Sequence, residues 1–206
     1  VVVNSTGREI RTLEEVQPVE GKRLQLTIDL DLQKAVEDAF AVSGFNGAAV
    51  VLDPKDGGVL AFASLPAYDP NAFAAGIDRN TWSSLMTDED RPLNDRAIQG
   101  TYEPGSTFKT FVYTAAIESR LDTEDVRYDE PIVIDGWRPR NYDDGYRGAV
   151  TLRTAFALSI NTVAASVAEE VGPPRVADVA RRLGISGMPA RNAFVPPSIA
   201  LGSIEV

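Results

Sequence analysis

The chain changes its hydrophobic period several times along its length. Leu24-Gln25-Leu26-Thr27-Ile28 alternates apolar and polar positions, which predicts a strand. Asp29 then stands where an N-cap belongs. Leu32, Val36, Ala39 and Phe40 share one helical face, so a helix is expected through about Val42. Residues 47–52 and 59–65 are two β-rich runs joined by Asp53-Pro54-Lys55-Asp56-Gly57-Gly58, the pattern of a hairpin. An irregular stretch with Pro66, Pro70 and Pro92 follows, interrupted by a short helix around residues 81–86.

After Pro104-Gly105 the period becomes helical. Phe108, Phe111, Val112, Ala115 and Ala116 form an apolar stripe, which predicts a helix from about Ser106 to near Ser119. Short strands are expected around Ile132-Val133-Ile134 and within residues 137–146. Thr151 caps a further helix, which falters at Ser159-Ile160-Asn161 and resumes through Glu170. Pro173 opens a last helix to about Leu183, stopped by Gly184. Strands first and helices later predict an α+β domain. Residues 1–23 are polar and weakly patterned, with a linker at residues 18–21. Val1-Val2-Val3 reads as a strand cut in mid-run, so the natural protein is expected to begin upstream.

Composition narrows the chemistry. A chain of 206 residues, 44% hydrophobic and 24% charged, is sized for one globular domain with a core of its own. The net charge is −10, and no Lys/Arg run offsets it, which argues against a nucleic-acid partner. No apolar stretch approaches the roughly 20 residues of a membrane span. There is no Cys and no His. Thiol catalysis, thiolate or His-ligated metals and every Ser-His arrangement are therefore excluded. A base working near neutral pH must be a Lys, a carboxylate or a Tyr.

Of the four lysines, only Lys109 has a Ser three residues before it. In a helix these two side chains lie on one face, one turn apart, so the amine can reach the Ser106 hydroxyl. The helix N-terminus adds free N–H groups where an oxyanion would form. Such a Lys needs desolvation to act as base, and Phe108 and Phe111 provide apolar surroundings. Taken alone, the motif also describes a capping Ser followed by a solvated Lys. A Lys in a first turn, however, opposes the helix dipole.

Ser159-Ile160-Asn161 is a second constellation, placed where the helical pattern breaks. In an extended or kinked connection, i and i+2 project together, here a hydroxyl and a carboxamide. An ordinary polar break between helices has the same composition. Residues 100–107 approach a phosphate-binding loop, but Ser106 stands where that loop needs Lys, and Pro104 removes an N–H. Asp88-Glu89-Asp90 and Asp143-Asp144-Gly145 lack calcium-loop spacing.

Together these residues resemble the transpeptidase domain of penicillin-binding proteins, whose site is built from S-x-x-K, S-x-N and K-[TS]-G. The resemblance runs through Leu26-Thr27-Ile28-Asp29 with Leu32-Gln33, through Ala49 to Pro54 and through Gly58 to Ala61. Tyr68-Asp69-Pro70-Asn71, Pro92-Leu93 and Arg96-Ala97, leading into Pro104 to Lys109, are most similar to elongation-type class B enzymes. Residues 137–142, Ser159 to Val163 and Ala180 to Ile185 look closer to bifunctional class A enzymes.

The resemblance implies the α+β fold shared with serine β-lactamases, an antiparallel sheet with a helical subdomain. Residues 1–23 would end a pedestal or linker, and 24–206 would be the N-terminal portion of the transpeptidase domain. Ser106 would be the nucleophile, Lys109 its base, Ser159 a proton carrier and Asn161 a ligand for the substrate amide. The implied partners are peptidoglycan stem peptides, β-lactam antibiotics and a membrane glycan polymerase of the elongation machinery. No cofactor or metal is implied. The location would be the periplasmic, extracytoplasmic face of the cell membrane, with the anchor in a segment outside this chain. One departure is clear: Lys22, Lys34, Lys55 and Lys109 are followed by Arg, Ala, Asp and Thr-Phe, never by Thr/Ser-Gly. The chain is therefore expected to be an incomplete domain, inert by itself. A β-lactamase or β-lactam sensor of the same fold, or a non-catalytic module, are the alternatives.

Overall fold

The structure is a computed structural model describing residues 2–11, 17, 19–74 and 76–206. Val1 and Pro18, which belong to the expected opening strand and linker, lie outside the described residues. The chain folds as two compact units, residues 1–98 and 99–206.

The first unit opens with a small antiparallel pair, β1 (Val2–Val3) and β2 (Glu9–Arg11). Residues 24–28 do not form the expected strand. Instead the Thr27 hydroxyl donates to the Val59 carbonyl and the Asp29 N–H to the Leu60 carbonyl. The alternation is that of an extended segment lying on a sheet edge without a ladder. Asp29 caps α1 (Leu30–Ser43), accepting from the N–H groups of Asp31 and Leu32 at 3.0 Å. The helix ends with Gly44 in the left-handed region, as its last-turn carbonyls require.

The expected hairpin forms from β3 (Gly47–Leu52) and β4 (Val59–Leu65), antiparallel, with Gly47 opposite Leu65. The Gln33 side chain, projecting from α1, meets the outward-facing backbone of β4. Its Nε2 donates to the Phe62 carbonyl at 3.0 Å, and its Oε1 accepts the Phe62 N–H at 2.7 Å. Beyond β4 come α2 (Asn71–Ala74), α3 (Arg79–Thr87) and α4 (Arg96–Gln99). Asp78 caps α3, and the Ser64 hydroxyl, which accepts from Arg96 N–H, ties the end of this segment to β4.

The second unit is built on α5 (Lys109–Glu118). A short antiparallel pair, β5 (Val126–Asp129) with β6 (Gly148–Thr151), leads into α6 (Leu152–Ala157), α7 (Asn161–Val171) and α8 (Pro173–Arg182). The strands expected around 132–146 reduce to a single bridge between Ile134 and Trp137. The core joins α5, α7 and α8 through Val112, Val163, Val167, Val176 and Val179, all buried. Ala115, Ala116, Ala164, Ala168, Ala177 and Ala180 fill the spaces between them. Small side chains at the contacts let helix axes approach closely, so the valines interdigitate.

A 3-10 turn, Pro197–Leu201, follows α8 and ends at Gly202 with φ +69°. Gly202 lies directly against the backbone of Gly105. A Cβ placed there would sit 2.5 Å from the Gly105 nitrogen and 2.9 Å from its carbonyl carbon. Val206 and Tyr102 exchange backbone hydrogen bonds beside this contact. The turn that carries Ser106 is thus buttressed from behind by residues 197–206.

Candidate active site

The turn begins at Pro104-Gly105. Gly105 has φ +58°, a left-handed conformation that glycine adopts without Cβ strain. It directs the backbone into a 3-10 turn, Gly105–Phe108, that runs straight into α5. The Thr107 hydroxyl donates to the Pro104 carbonyl at 2.6 Å and pins the turn. In 3-10 geometry residues i and i+3 eclipse. Ser106 and Lys109 therefore stand one above the other, more closely aligned than the α-helical register expected from sequence would place them. Ser106 is exposed, and among the described residues its hydroxyl has no hydrogen-bond partner. Its N–H is one of the first-turn donors that helical geometry leaves unused.

Lys109 is only 1% exposed. Its Nζ donates to the Ser159 carbonyl at 2.6 Å, to Ser159 Oγ at 2.9 Å and to Asn161 Oδ1 at 2.6 Å. Burial pulls its pKa from 10.5 down to about 8. Three oxygens suit an ammonium. When the amine is neutral it has two N–H groups and a lone pair, and the Ser159 hydroxyl can then rotate to donate to nitrogen. Tyr113, one turn further along α5, is also buried, and burial raises its phenol well above the ordinary value. It stays protonated at neutral pH.

Ser159 occupies an unusual position. Its N–H donates to the Phe156 carbonyl, and the Ile160 N–H donates to the Ala155 carbonyl. This is the paired closure of a Schellman motif ending α6, with Ser159 at the site that usually holds glycine. Its φ is +54°. The left-handed backbone turns the Ser159 hydroxyl and carbonyl together onto the Lys109 amine. A hydroxyl is retained where a bare α-carbon is preferred, the kind of local strain found at functional sites. Ser159→Gly should therefore be more stable than Ser159→Ala by about 1 kcal/mol, read by urea unfolding, although both lack the hydroxyl.

The next helix starts at once, and its N-cap residue, Ile160, supplies no side-chain cap. The cap comes from elsewhere. Asn141 Oδ1 accepts the N–H of Asn161 at 2.9 Å and of Thr162 at 3.3 Å. Asn141 Nδ2 donates to Asp129 Oδ1 at 2.7 Å and to the Gly145 carbonyl at 2.8 Å. The Thr162 hydroxyl donates to the same Asp129 oxygen at 2.6 Å, and the Arg147 N–H donates to Oδ2 at 2.9 Å. Asp129 is 1% exposed. Burial pushes its carboxyl up, but the donors from Thr162, Asn141 and Arg147 outweigh that and hold it below the ordinary value. Asn161 is fixed from both ends, its oxygen on Lys109 and its Nδ2 on the Arg140 carbonyl at 2.7 Å.

The structure thus brings Lys109, Ser159 and Asn161 into direct contact and places Ser106 one turn ahead of Lys109. Asp129, Asn141 and Thr162 are additional residues of the site that the motifs do not contain. A sequence profile of the penicillin binding protein transpeptidase domain matches residues 47–193. The chain belongs to this family. It is 36% identical over 192 residues to the peptidoglycan D,D-transpeptidase MrdA of Escherichia coli, covering 89% of this chain and 29% of that protein. Among solved structures, Pseudomonas aeruginosa PBP2 in complex with WCK 5153 superposes with a TM-score of 0.78 at 29% identity, over 88% of this chain and 48% of that one. The imipenem acyl-enzyme of penicillin-binding protein A from M. tuberculosis superposes with a TM-score of 0.77 at 28% identity, over 87% and 48%. The chain therefore spans under a third of the MrdA relative, and its mixed helix and sheet arrangement is the penicillin-binding-protein fold.

Proposed function

We propose that this chain carries the nucleophile and proton-transfer residues of a peptidoglycan D,D-transpeptidase. The observation that supports this most directly is the buried Lys109 amine held between Ser159 and Asn161, one turn from the free hydroxyl of Ser106. In this reading Ser106 Oγ attacks the penultimate D-Ala carbonyl of a stem peptide, and Lys109 takes the hydroxyl proton. The Ser106 N–H donates to the developing oxyanion. As the tetrahedral centre collapses, its C–N bond breaks, and the proton passes through Ser159 to the departing D-Ala amine. An amine of a second strand then attacks the acyl-serine, forming the cross-link and restoring Ser106. Asn161 orients the substrate amide with the Nδ2 hydrogen that Arg140 does not use. A β-lactam acylates Ser106 by the same first step, through opening of its ring.

Residues 24–206 carry the first two motifs of the domain in this reading, and residues 1–23 the segment leading into it. The third motif, which would supply the second oxyanion donor and the substrate-carboxylate site, is not among these 206 residues. In this reading the protein acts on peptidoglycan at the outer face of the cell membrane, beside a glycan polymerase. None of the helices among the described residues is long and apolar enough to cross that membrane.

The test is peptide mass spectrometry after fluorescent penicillin treatment. The full-length protein should carry one adduct, on the peptide containing Ser106, and Ser106→Ala should carry none. An adduct on another residue, or none on the full-length protein, overturns the assignment. The 206-residue chain by itself is expected to remain unlabelled, because half the oxyanion site is not in it. Stoichiometric labelling of that chain would overturn this part alone.

A further inference from the structure

Helix α7 delivers Asn161 to Lys109 from its first residue, and the left-handed Ser159 precedes it by two positions. Both side chains are committed to the amine, and the intervening Ile160 is 2% exposed in the core. No residue at the start of this helix is left to cap it. Helix N-termini without partners fray, and fraying here would move Ser159 and Asn161 away from Lys109. The free N–H groups are instead taken by Asn141, 20 residues upstream. Asn141 makes two acceptor and two donor bonds, which leaves it no rotational freedom. Its orientation is locked by Asp129, which also grips the second residue of the helix through Thr162. The neighbouring Arg140 carbonyl holds the Asn161 amide. The side chains of Asn141, Asp129 and Thr162 and the Arg140 carbonyl thus hold a single helical turn, and none of the three side chains hydrogen-bonds Lys109.

We infer that Asn141, oriented by Asp129 and acting with Thr162, is a positioning residue that fixes Ser159 and Asn161 on the Lys109 amine and so sets the rate at which Ser106 is acylated. It works as a cap supplied from 20 residues upstream in the same chain, which lets both flanking positions be used for proton transfer. This inference rests on Ser106 and Lys109 being nucleophile and base, and the test separates the two claims. The helices packed against α5 carry Glu169, Glu170, Arg175, Asp178, Arg181 and Arg182, and the Arg175 guanidinium donates to Ser119 Oγ just past the end of α5. Glu118 pairs with Arg182, Asp178 with Arg181, Arg182 and Arg191, and Glu170 with Arg127. The buried charge behind the amine's own partners is Asp129, whose Oδ2 pairs with the Arg147 guanidinium at 3.5 Å.

The experiment measures fluorescent-penicillin acylation rates across pH in the full-length protein, with Tm recorded for every variant. Asn141→Ala is expected to lower the limiting acylation rate about a hundredfold, the penalty of a misplacement on the order of 1 Å in a proton-transfer site. The inflection of its pH profile should move above that of the wild type, because fraying admits water to the amine and relieves the desolvation that holds its pKa down. Thr162→Val should show a smaller change of the same kind, and Thr162→Ser, which keeps the hydroxyl, should recover the wild-type profile. A role in stability alone would lower Tm and leave rate and inflection unchanged, and that result overturns the inference. Should Asn141→Ala not fold, the Thr162 pair decides, since equal rates for the Val and Ser variants overturn it. If the wild type is not labelled at Ser106, the functional reading fails first, whatever the variants do.

Discussion

Lys109→Met is expected to reduce acylation of Ser106 by about 10³-fold in the full-length protein, since in the proposed mechanism it removes the base. Burial is what makes this lysine competent. With a pKa of about 8 in place of 10.5, its neutral fraction at pH 7 is about a tenth, some 300-fold above that of a solvated lysine. The wild-type rate should therefore climb as pH rises toward about 8 and level off above it. A profile still rising steeply beyond pH 9.5 would show that the amine is not desolvated in solution.

The same shift has a stability signature of defined sign. Between about pH 8 and 10.5 the unfolded chain binds a proton at this lysine and the folded chain does not. Stability therefore rises with pH across that window and is lowest below it, where a charged amine must be kept buried. In Lys109→Met this contribution is absent. The difference in unfolding free energy, wild type minus variant, should grow by about 3 kcal/mol from pH 7 to pH 11. Groups common to both proteins cancel. A flat difference would sink the desolvation account, and with it the explanation of how this lysine is made a competent base.

Gly202→Ala is the second substitution with a large expected effect, although residue 202 touches no reacting group. A Cβ there would meet the backbone of Gly105, which no side-chain rotation can clear. The position also has φ +69°, so an alanine is strained even before the clash. Overpacking of this kind costs about 1–3 kcal/mol, with about 1 kcal/mol more for the backbone conformation. The turn bearing Ser106 must move, so acylation should fall about a hundredfold at temperatures where the variant remains folded. Unfolding curves together with acylation rates check both halves. Unchanged acylation in a destabilised variant would mean that the nucleophile turn keeps its place without this support.

Some of this was open to reading in sequence and some was not, for identifiable reasons. The hairpin, the Asp29 and Thr151 caps and the helix beginning at Pro173 follow local rules, and they appear where those rules put them. Ser106 and Lys109 are joined by a spacing, and Ser159 and Asn161 by a break in a helical period. Strand β5 escaped because its polarity is inverted. Val126 and Tyr128 face outward, while Arg127 and Asp129 turn in, toward Glu170 and the cap of α7. Asp129 and Asn141 reach their partners across 33 and 20 residues of chain, which no local pattern records. Asn141 sits in a run of turn-forming residues and looks solvated until its burial is known. The left-handed turn at Ser159 was visible only as a falter, since serine gives no sign of the glycine-like conformation it adopts.

The Gln33 amide on β4 bears on how the sheet can extend. By meeting both the N–H and the carbonyl of Phe62, it stands in for one residue of a neighbouring strand, and Thr27 and Asp29 occupy the positions beside it. That border of the hairpin is closed to any incoming chain. The opposite border, along β3, has no ladder partner among the described residues, and Val50 and Leu52 stand exposed there. Growth is thereby given a direction: a new strand is refused at β4, where Thr27, Asp29 and Gln33 hold the backbone groups, and accepted at β3, the side on which recruitment, or misassembly, takes place.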